Sequence, residues 1–509
     1  MNFKLIGRIL GRIMIIEGVL MLAPLIVSFI YGEELKYKLA FIIPIIALTV
    51  LGGLMLKPKP KRKSLYQKEG FALVALVWIV MTVFGAIPFV INGDIPNYID
   101  ACFEIMSGFT TTGASILKDI TVLEHSSLFW RSFSHWIGGM GILVFVLIFI
   151  PESDDGSSMH LLRAESPGPQ VGKIASKMKV TARILYLIYL CLTVLEVIFL
   201  LCGPLINHDA LTDAGYSSYE GDKLFLALLT SFGSAGTGGF GFIPNSMEFM
   251  TPYAQYVISI FLLIFGCNFG LYYLILLGKI KEVFRSEEFR CYLIIIVSSV
   301  ALVFVNLCLR LESLGYSIEE AFRHTLFQIA SIMTTTGYST TDFNLWPMVS
   351  KMVLVLLMFT GAMAGSTAGG IKLSRIVIAV KGTFINVRKL INPRYVPKAK
   401  FEGKSLEEKT TNDVFSFITL YLFILLTATL LLSFDPISDV NEHGFFSNFS
   451  ASLACISNIG PGFEAVGPYA SYADYNAFSK LILTFTMLIG RLEILPVLIL
   501  FNPRAWKRV

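Results

Sequence analysis

The sequence predicts an all-α polytopic membrane protein, with two extra N-terminal transmembrane helices and four parallel helix–re-entrant loop–helix repeats around one pore. The composition indicates the class: 55% of the 509 residues are hydrophobic and only 15% are charged, whereas soluble domains carry about 25% charged residues. Mean hydropathy is +0.69. A fourfold repetition of one element order predicts the architecture.

Ten stretches reach the roughly 20 apolar residues that a helix needs to span a bilayer. They cover residues 8–30, 38–56, 71–93, 127–150, 181–203, 253–278, 290–310, 346–380, 412–434 and 473–501. Four shorter semi-apolar stretches, 97–112, 221–237, 319–336 and 445–459, end in small or polar residues. We expect these to enter the membrane part-way and return as irregular backbone, which is tolerated only inside protein or beside a watery cavity.

The basic residues indicate the orientation. Lys and Arg cluster at 57–68, 173–183, 279–290, 381–404 and 504–508, while the opposite connections are poorer in them. The positive-inside rule therefore predicts that both termini are cytoplasmic and that all four short stretches open on the outer side. The net charge of +5 is small and spread over short loops, so nucleic-acid binding is not expected.

The order span, short helix, span occurs four times after the first two spans. Each copy enters and leaves on the same sides, which predicts parallel repeats around an axis along the membrane normal. Residues 1–68 are predicted to hold the N-terminal helices and a basic cytoplasmic loop. Repeat 1 is 69–151, repeat 2 is 152–288 with a leading cytoplasmic linker, repeat 3 is 289–381 with a broken second helix, and repeat 4 is 382–509 with a leading linker.

Each short stretch ends in a polar turn: 110–114 (TTTGA), 236–240 (GTGGF), 334–338 (TTTGY) and 457–462 (SNIGPG). A dehydrated K⁺ needs rings of carbonyl oxygens, and glycine allows the backbone that points successive carbonyls at one axis. One such turn would fit an ordinary helix end, but four on one side favour a selectivity filter with glycines in register at Gly113, Gly238, Gly337 and Gly460. The candidate ion-binding residues are Thr111, Thr112, Gly113, Gly236, Thr237, Gly238, Thr335, Thr336, Gly337, Asn458, Ile459 and Gly460.

Two features interrupt the later spans. Residues 361–370 (GAMAGSTAGG) lie inside the eighth span, where small residues fit either close helix packing or an unwound loop. Arg491 lies inside the tenth span, where a charge is costly and faces a partner or a cavity. From the residues alone, Arg491 could form a structural pair with the nearby Glu493 or face a cavity.

The chain resembles the Trk/Ktr/HKT superfamily of K⁺ and Na⁺ transporters. The resemblance rests on the four turns and on residues 135–141 (HWIGGMG), 365–372 (GSTAGGIK) and 490–493 (GRLE). The two extra N-terminal spans and the length favour the bacterial TrkH type. The second turn departs from the family pattern at Gly236 and Gly241.

The resemblance implies K⁺ uptake across the bacterial inner membrane, and a glycine at Gly113 goes with K⁺ preference in that family. It also implies a homodimer with one pore per subunit and a cytoplasmic nucleotide-binding regulatory subunit of the TrkA kind. An intramembrane loop together with the arginine would form the gate. The gate residues implied in this way are Gly365, Ser366, Thr367, Gly369, Gly370, Lys372 and Arg491.

Other functions are less well supported by the residues. An enzyme would need intramembrane His, Asp or Glu in a cluster, and the spans offer little beyond Glu17, Glu196 and Glu493. No cofactor is expected, since the cysteines and histidines show no metal-ligand spacing, and the GxGxxG match at 236–241 is not followed by a helix. The alternative is a Na⁺- or H⁺-coupled cation symporter, which would need a titratable carboxylate at mid-membrane beside the substrate site.

Overall fold

The computed structural model describes residues 1–58, 66–141, 178–214, 222–243, 245–392, 399–435, 444–500 and 503–506. These residues form a bundle of helices with one short β-hairpin. The predicted boundary between repeats 1 and 2, at 151–152, lies outside them.

The N-terminal pair consists of α1 (Phe3–Leu20), which continues into α2 (Leu22–Ile30), and α3 (Leu35–Leu56). Helices α1 and α3 pack closely through Gly11 and Gly52. A Cβ atom on either glycine would lie 2.6 Å from the carbonyl oxygen of the other, so the two backbones touch only because neither residue has a side chain.

Repeats 1 and 2 follow the predicted order. Repeat 1 contains α4 (Gln67–Gly85), α5 (Ile87–Ile91), the pore helix α6 (Tyr98–Phe109) and α7 (His125–Gly139). Repeat 2 contains α8 (Met178–Cys202), α9 (His208–Asp213), the pore helix α10 (Lys223–Gly236), α11 (Pro252–Phe265), α12 (Phe269–Leu276) and α13 (Ile280–Arg285).

Repeats 3 and 4 have the same order. Repeat 3 contains α14 (Glu287–Cys308), α15 (Leu311–Leu314), the pore helix α16 (Ile318–Met333), a 3₁₀ turn (Phe343–Leu345), α17 (Met348–Phe359) and α18 (Leu373–Ile391). Repeat 4 begins with antiparallel strands β1 (Lys400–Phe401) and β2 (Lys404–Ser405), and continues with α19 (Glu408–Leu432), the pore helix α20 (Gly444–Ser457), two 3₁₀ turns (Glu464–Val466 and Tyr472–Asp474), α21 (Ala477–Arg491), α22 (Leu495–Leu500) and a last 3₁₀ turn (Pro503–Trp506).

Six helical stretches of the described residues are long and apolar enough to cross a membrane, and a seventh if the bent pair α11/α12 is counted. The six are Phe3–Ile30, Leu35–Leu56, Lys68–Ile91, Val180–Cys202, Glu287–Cys308 and Glu408–Leu432. The last four are the first helices of the four repeats. The polytopic helical class is thereby confirmed.

In repeats 2, 3 and 4 the second helix is not one straight span. Helix α7 ends at Gly139, and the rest of the predicted span 127–150 lies beyond the described residues from 142 onward. Helices α11 and α12 meet at 90°, α17 and α18 are separated by residues 360–372, and α21 and α22 by residues 492–494. The sequence predicted the break in repeat 3, whereas the breaks in repeats 2 and 4 were not predicted.

Buried charged side chains join neighbouring repeats. Lys480 on α21 forms an ion pair with Asp100 on the first pore helix, at 2.9 Å. Arg323 on the third pore helix donates to Gln255 on α11 and to Glu319, at 2.9 Å for the latter. Because such groups are costly to leave unpaired in a buried place, these contacts fix the first and third pore helices against helices of the neighbouring repeats.

The packing of α1 on α3 gives a first test. We expect Gly52→Ala to lower the free energy of unfolding by about 1–3 kcal/mol, the usual cost of overpacking, because its Cβ meets the backbone of Gly11. The matched control is Gly53→Ala, whose Cβ would have nothing within 4 Å. This control should be neutral or slightly stabilising, since alanine suits a helix better than glycine. Thermal unfolding in detergent measures both, and equal losses for the two variants would contradict the described packing.

Candidate functional site

The four pore helices end in turns with the same backbone path. One residue of each turn has a left-handed φ of 54° to 56°, at Thr111, Thr237, Thr335 and Asn458. The next residue donates its N–H to the carbonyl five positions earlier, at 2.8 to 2.9 Å, from Thr112, Gly238, Thr336 and Ile459. The residue after that is a glycine with φ between 76° and 98°. This 6→1 bond closes a helix end in the manner of a Schellman motif.

The shared geometry corrects the predicted register of the second turn. The glycine that matches Gly113, Gly337 and Gly460 is Gly239, with φ +76°, and not Gly238. Gly238 occupies the preceding position, and Gly236 is the last residue of its pore helix. Two glycines are adjacent in this turn, and the sequence prediction placed the first of them, Gly238, in register with the other three turns. Alignment on the threonine, Thr237 with Thr111, would have found the correct one.

The four register glycines form a closed ring in which each touches the next repeat. A Cβ on Gly113 would lie within 3.0 Å of the Gly238 carbonyl oxygen, and one on Gly239 would meet that of Thr336 in the same way. A Cβ on Gly337 would meet the oxygen of Ile459, and one on Gly460 that of Thr112. Real Cβ atoms essentially never approach so closely. Glycine is therefore required here twice, for the left-handed backbone and for the approach to the neighbouring carbonyl.

Side chains behind the ring connect adjacent repeats. The amide of Asn458 donates to the Thr112 hydroxyl at 3.0 Å, which joins repeat 4 to repeat 1. The buried ring of His135 joins repeat 1 to repeat 2: its Nδ1 lies 2.8 Å from the Gly108 carbonyl, and its Nε2 accepts the N–H of Phe240 at 3.3 Å. These partners require the neutral tautomer with hydrogen on Nδ1.

A cavity of about 570 Å³ adjoins the ring on the side of the segments that follow the turns, and its lining includes all four register glycines. Arg131, only 2% exposed, also lines it. Its guanidinium donates to Glu104 at 2.5 Å and to the Gly241 carbonyl at 2.7 Å. Because the neighbouring carboxylate neutralises this arginine, the pair can shape the cavity without presenting an unbalanced positive charge to an entering cation.

The break in repeat 3 forms a loop directly against the opposite side of the ring. The Gly369 N–H donates to the Thr335 hydroxyl at 2.6 Å, and a Cβ on Gly369 would lie 2.5 Å from the Ser457 carbonyl oxygen. The backbone N–H of Gly361 bonds to the Ile371 carbonyl at 2.8 Å, and that of Leu373 bonds to the Ala362 carbonyl at 3.1 Å. These last two bonds close the base of the loop, so residues 361–370 are unwound, and the helix-packing interpretation of this segment is wrong.

The predicted gate residues all belong to this loop or contact it. Thr367, Gly369 and Lys372 are buried, Ser366 and Gly370 are half-buried, and Gly365 is exposed. The Lys372 amine donates to the Ala368 carbonyl. The carbonyl of Gly365 accepts the N–H of Phe269, at the bend of repeat 2, at 3.0 Å.

Arg491 connects α21 to the loop of repeat 3 and to the end of α7. From the end of α21 its guanidinium donates to the Thr367 carbonyl at 2.9 Å, in the loop of repeat 3. It also donates to the carbonyls of Gly138 and Gly139 at the end of α7, at 2.8 Å for the latter. Glu493, which one of the two interpretations paired with Arg491, forms an ion pair with Arg375 on α18. The arginine therefore lies where the loop meets repeats 1 and 4.

Four pore helices, a ring of left-handed glycine turns, and a loop with a fixed positive charge beneath them define a polytopic membrane protein built for the passage of a small ion. Comparison with known proteins supports this class. A family profile described as cation transport protein matches residues 38–508. The chain belongs to this family, the TrkH family of cation transport proteins.

Individual relatives cover the whole chain. The Trk system potassium uptake protein TrkH of Escherichia coli K12 is 33% identical over 520 residues, and that of Vibrio parahaemolyticus is 34% identical over 516, with 100% of both chains covered in each case. The crystal structure of the potassium transporter TrkH from Vibrio parahaemolyticus matches with a TM-score of 0.82 at 31% identity, again over 100% of both chains.

The position of Arg491 leads to a second test. At an effective dielectric of about 20, two unit charges 4 Å apart repel by roughly 4 kcal/mol, and half of that slows passage more than tenfold. We expect Arg491→Ala and Arg491→Gln to raise cation flux about tenfold, and Arg491→Lys, which keeps the charge, to leave it near wild type. Flux per folded molecule in liposomes measures this. If Gln behaved as wild type and Ala and Lys did not, the hydrogen bonds and not the charge would control flux.

Proposed function

We propose that this chain takes up K⁺ by conducting it through the ring of four turns, with residues 360–372 and Arg491 as the gate. The observation that carries the proposal is the closed ring of Gly113, Gly239, Gly337 and Gly460, which lies between the cavity and an obstructing loop. Carbonyl rings replace the water shell of K⁺. The relatives that cover the full chain are themselves named potassium uptake proteins.

The ion-binding residues of this proposal are those predicted from the sequence, with Gly239 in place of Gly236. They are Thr111, Thr112, Gly113, Thr237, Gly238, Gly239, Thr335, Thr336, Gly337, Asn458, Ile459 and Gly460. Gly236 is left out because it lies at the end of α10. The chain needs no cofactor of its own in this scheme, and K⁺ is its cargo.

The setting of the protein is part of the proposal. We place it in the bacterial inner membrane with both termini cytoplasmic, on the distribution of Lys and Arg. We further propose a homodimer with one pore per subunit and a cytoplasmic nucleotide-binding regulatory partner of the TrkA kind, both on the family resemblance.

The experiment that tests the transport function uses a bacterium deficient in K⁺ uptake. We expect the chain to restore growth at low external K⁺ and to support Rb⁺ uptake, more strongly when the regulatory subunit is co-expressed. Purified protein in liposomes should then carry Rb⁺ down its gradient. A properly inserted protein that neither rescues growth nor carries Rb⁺ or Na⁺ would overturn the proposal.

Selectivity gives a third test, at Gly113. Serine at φ +80° costs about 1–2 kcal/mol of backbone strain, and its Cβ would meet the Gly238 carbonyl. Since 1.4 kcal/mol is a factor of ten, we expect Gly113→Ser to lower the K⁺ over Na⁺ permeability ratio about tenfold or more. Gly93→Ser is the matched control: its φ is +84°, and its Cβ would have nothing within 4 Å. An unchanged ratio in Gly113→Ser would remove this turn from the filter.

An H⁺-coupled symporter remains the second candidate because of Glu196 on α8. This carboxyl group is fully buried, and its polar neighbour is the Ser234 hydroxyl, with which it forms no hydrogen bond of normal geometry. A buried intramembrane carboxyl group is a candidate proton site.

Glu196→Gln therefore discriminates between the two mechanisms. The amide has the same shape but cannot exchange a proton. A coupled symporter should lose uptake driven by a proton gradient by at least tenfold, whereas a channel should keep its Rb⁺ flux within about twofold of wild type. Rb⁺ flux with and without an imposed pH gradient gives the answer.

A further inference from the structure

The loop that we propose as the gate is fixed at its base by one carboxylate. Glu288, the second residue of α14, is 5% exposed. Its Oε1 accepts the N–H of Ala364 at 2.8 Å and the N–H of Ser374 at 3.1 Å. These two donors lie on opposite arms of the loop. One oxygen therefore holds the two arms together through two hydrogen bonds, in a buried place where an unsatisfied N–H group would be costly.

Helix α14 is itself capped by a distant side chain. Its N-terminal residues bond to Glu402, which lies between β1 and β2. The Oε1 of Glu402 accepts the Ser286 hydroxyl at 2.8 Å and the N–H of Glu288 at 3.0 Å. A carboxylate at the N-terminus of a helix is favoured by the exposed N–H groups and by the helix dipole. Two glutamates thus lie in series between the hairpin and the loop.

The backbone at Glu402 is unusual for its residue type. Glu402 and Gly403 both have positive φ, 49° and 73°, and they are the two central residues of the hairpin turn. Such type I′ turns favour Asn-Gly or Asp-Gly. Glutamate is strained in this conformation, and such strain persists where the surrounding structure has a use for it. The longer side chain is the one that reaches Ser286 and Glu288.

The hairpin is attached to the helix that leaves the loop. The Phe401 side chain is buried against Ile378 of α18 and Val414 of α19. The Lys381 amine donates to the Lys400 carbonyl at 2.8 Å. A displacement of the hairpin therefore acts on the loop from two directions, through Glu402 and Glu288 on α14 and through α18.

We infer that Glu402 and Glu288 are positioning residues that hold the intramembrane loop closed and transmit the position of the hairpin to it. This inference rests on the proposed function, in which the loop obstructs the pore. It also assigns a surface for regulation: a partner that binds on the hairpin side and moves β1 and β2 would release Glu288 and loosen the loop.

The test compares two substitutions in the hairpin region. Glu402→Asn keeps a residue that suits the left-handed turn but is too short to reach Ser286. Glu407→Gln is the matched control, with the same change in charge at an exposed residue whose side chain caps nothing. Glu402 lies in a turn outside the spans, so we expect the Glu402→Asn protein to fold. Glu288→Gln would test the second glutamate directly, but it changes a buried residue, so the test does not depend on it.

Two measurements on the full-length protein are informative. Hydrogen–deuterium exchange of the segment 360–375 reports the Ala364 and Ser374 amides directly. A hydrogen bond to a charged group changes an opening equilibrium by about tenfold or more, so exchange should be about tenfold faster in Glu402→Asn than in Glu407→Gln. The peptide containing α6 should be unchanged. Rb⁺ flux without the regulatory subunit should rise about three- to tenfold for the same variant.

The outcomes separate the inference from the function. Faster exchange confined to 360–375 supports the relay, by which we mean the connection from Glu402 through Glu288 to the loop. If at the same time no variant carries Rb⁺, only the proposed function fails. Equal exchange in Glu402→Asn and Glu407→Gln overturns the relay, whatever the flux. Faster exchange over the whole protein also overturns it, because Glu402 would then contribute only to general stability.

Discussion

The structure depends on one steric constraint: four glycines from four repeats must each press against a backbone carbonyl of the next repeat. The ring closes only if all four pore helices end at the same depth and in the same turn. The buried bonds around it serve this alignment. The Lys480–Asp100 ion pair fixes the first and fourth repeats, and His135 fixes the first and second. Left-handed backbone at these turns is costly for residues other than glycine, so the surrounding packing must hold it in place.

Beneath the ring, the interrupted second helices expose backbone carbonyls inside the membrane. Such groups need partners in a low-dielectric environment. Arg491 supplies donors to three of them, from two different repeats. The same guanidinium therefore satisfies the broken helix ends and places a positive charge under the filter. A structural requirement and an electrostatic barrier are met by one side chain, and this explains why an arginine is placed where charge is expensive.

Most of the fold could be predicted from the sequence, and part of the site. Hydropathy and charge asymmetry are local properties, so they indicated the spans, the four re-entrant stretches and the shared side of the membrane. The register of the second turn was missed because Gly238 and Gly239 are adjacent and composition does not distinguish them. The breaks in repeats 2 and 4 were missed because each is only three residues long, 266–268 and 492–494, and apolar residues on both sides of it form one hydropathic stretch. The partners of Arg491, like the contacts of Glu288 and Glu402, join residues about 75 or more positions apart, and no local pattern reports these.

The ring is made by one chain, and this has a consequence for how it varies. A filter assembled from four identical subunits changes at four places with every substitution. Here the position before the register glycine is occupied by threonine, glycine, threonine and isoleucine, at Thr112, Gly238, Thr336 and Ile459. The four repeats therefore place different side chains at the same position of the turn. The side chains that surround the ring therefore differ from one repeat to the next, and a single substitution can change the surroundings of one turn while the other three turns keep theirs.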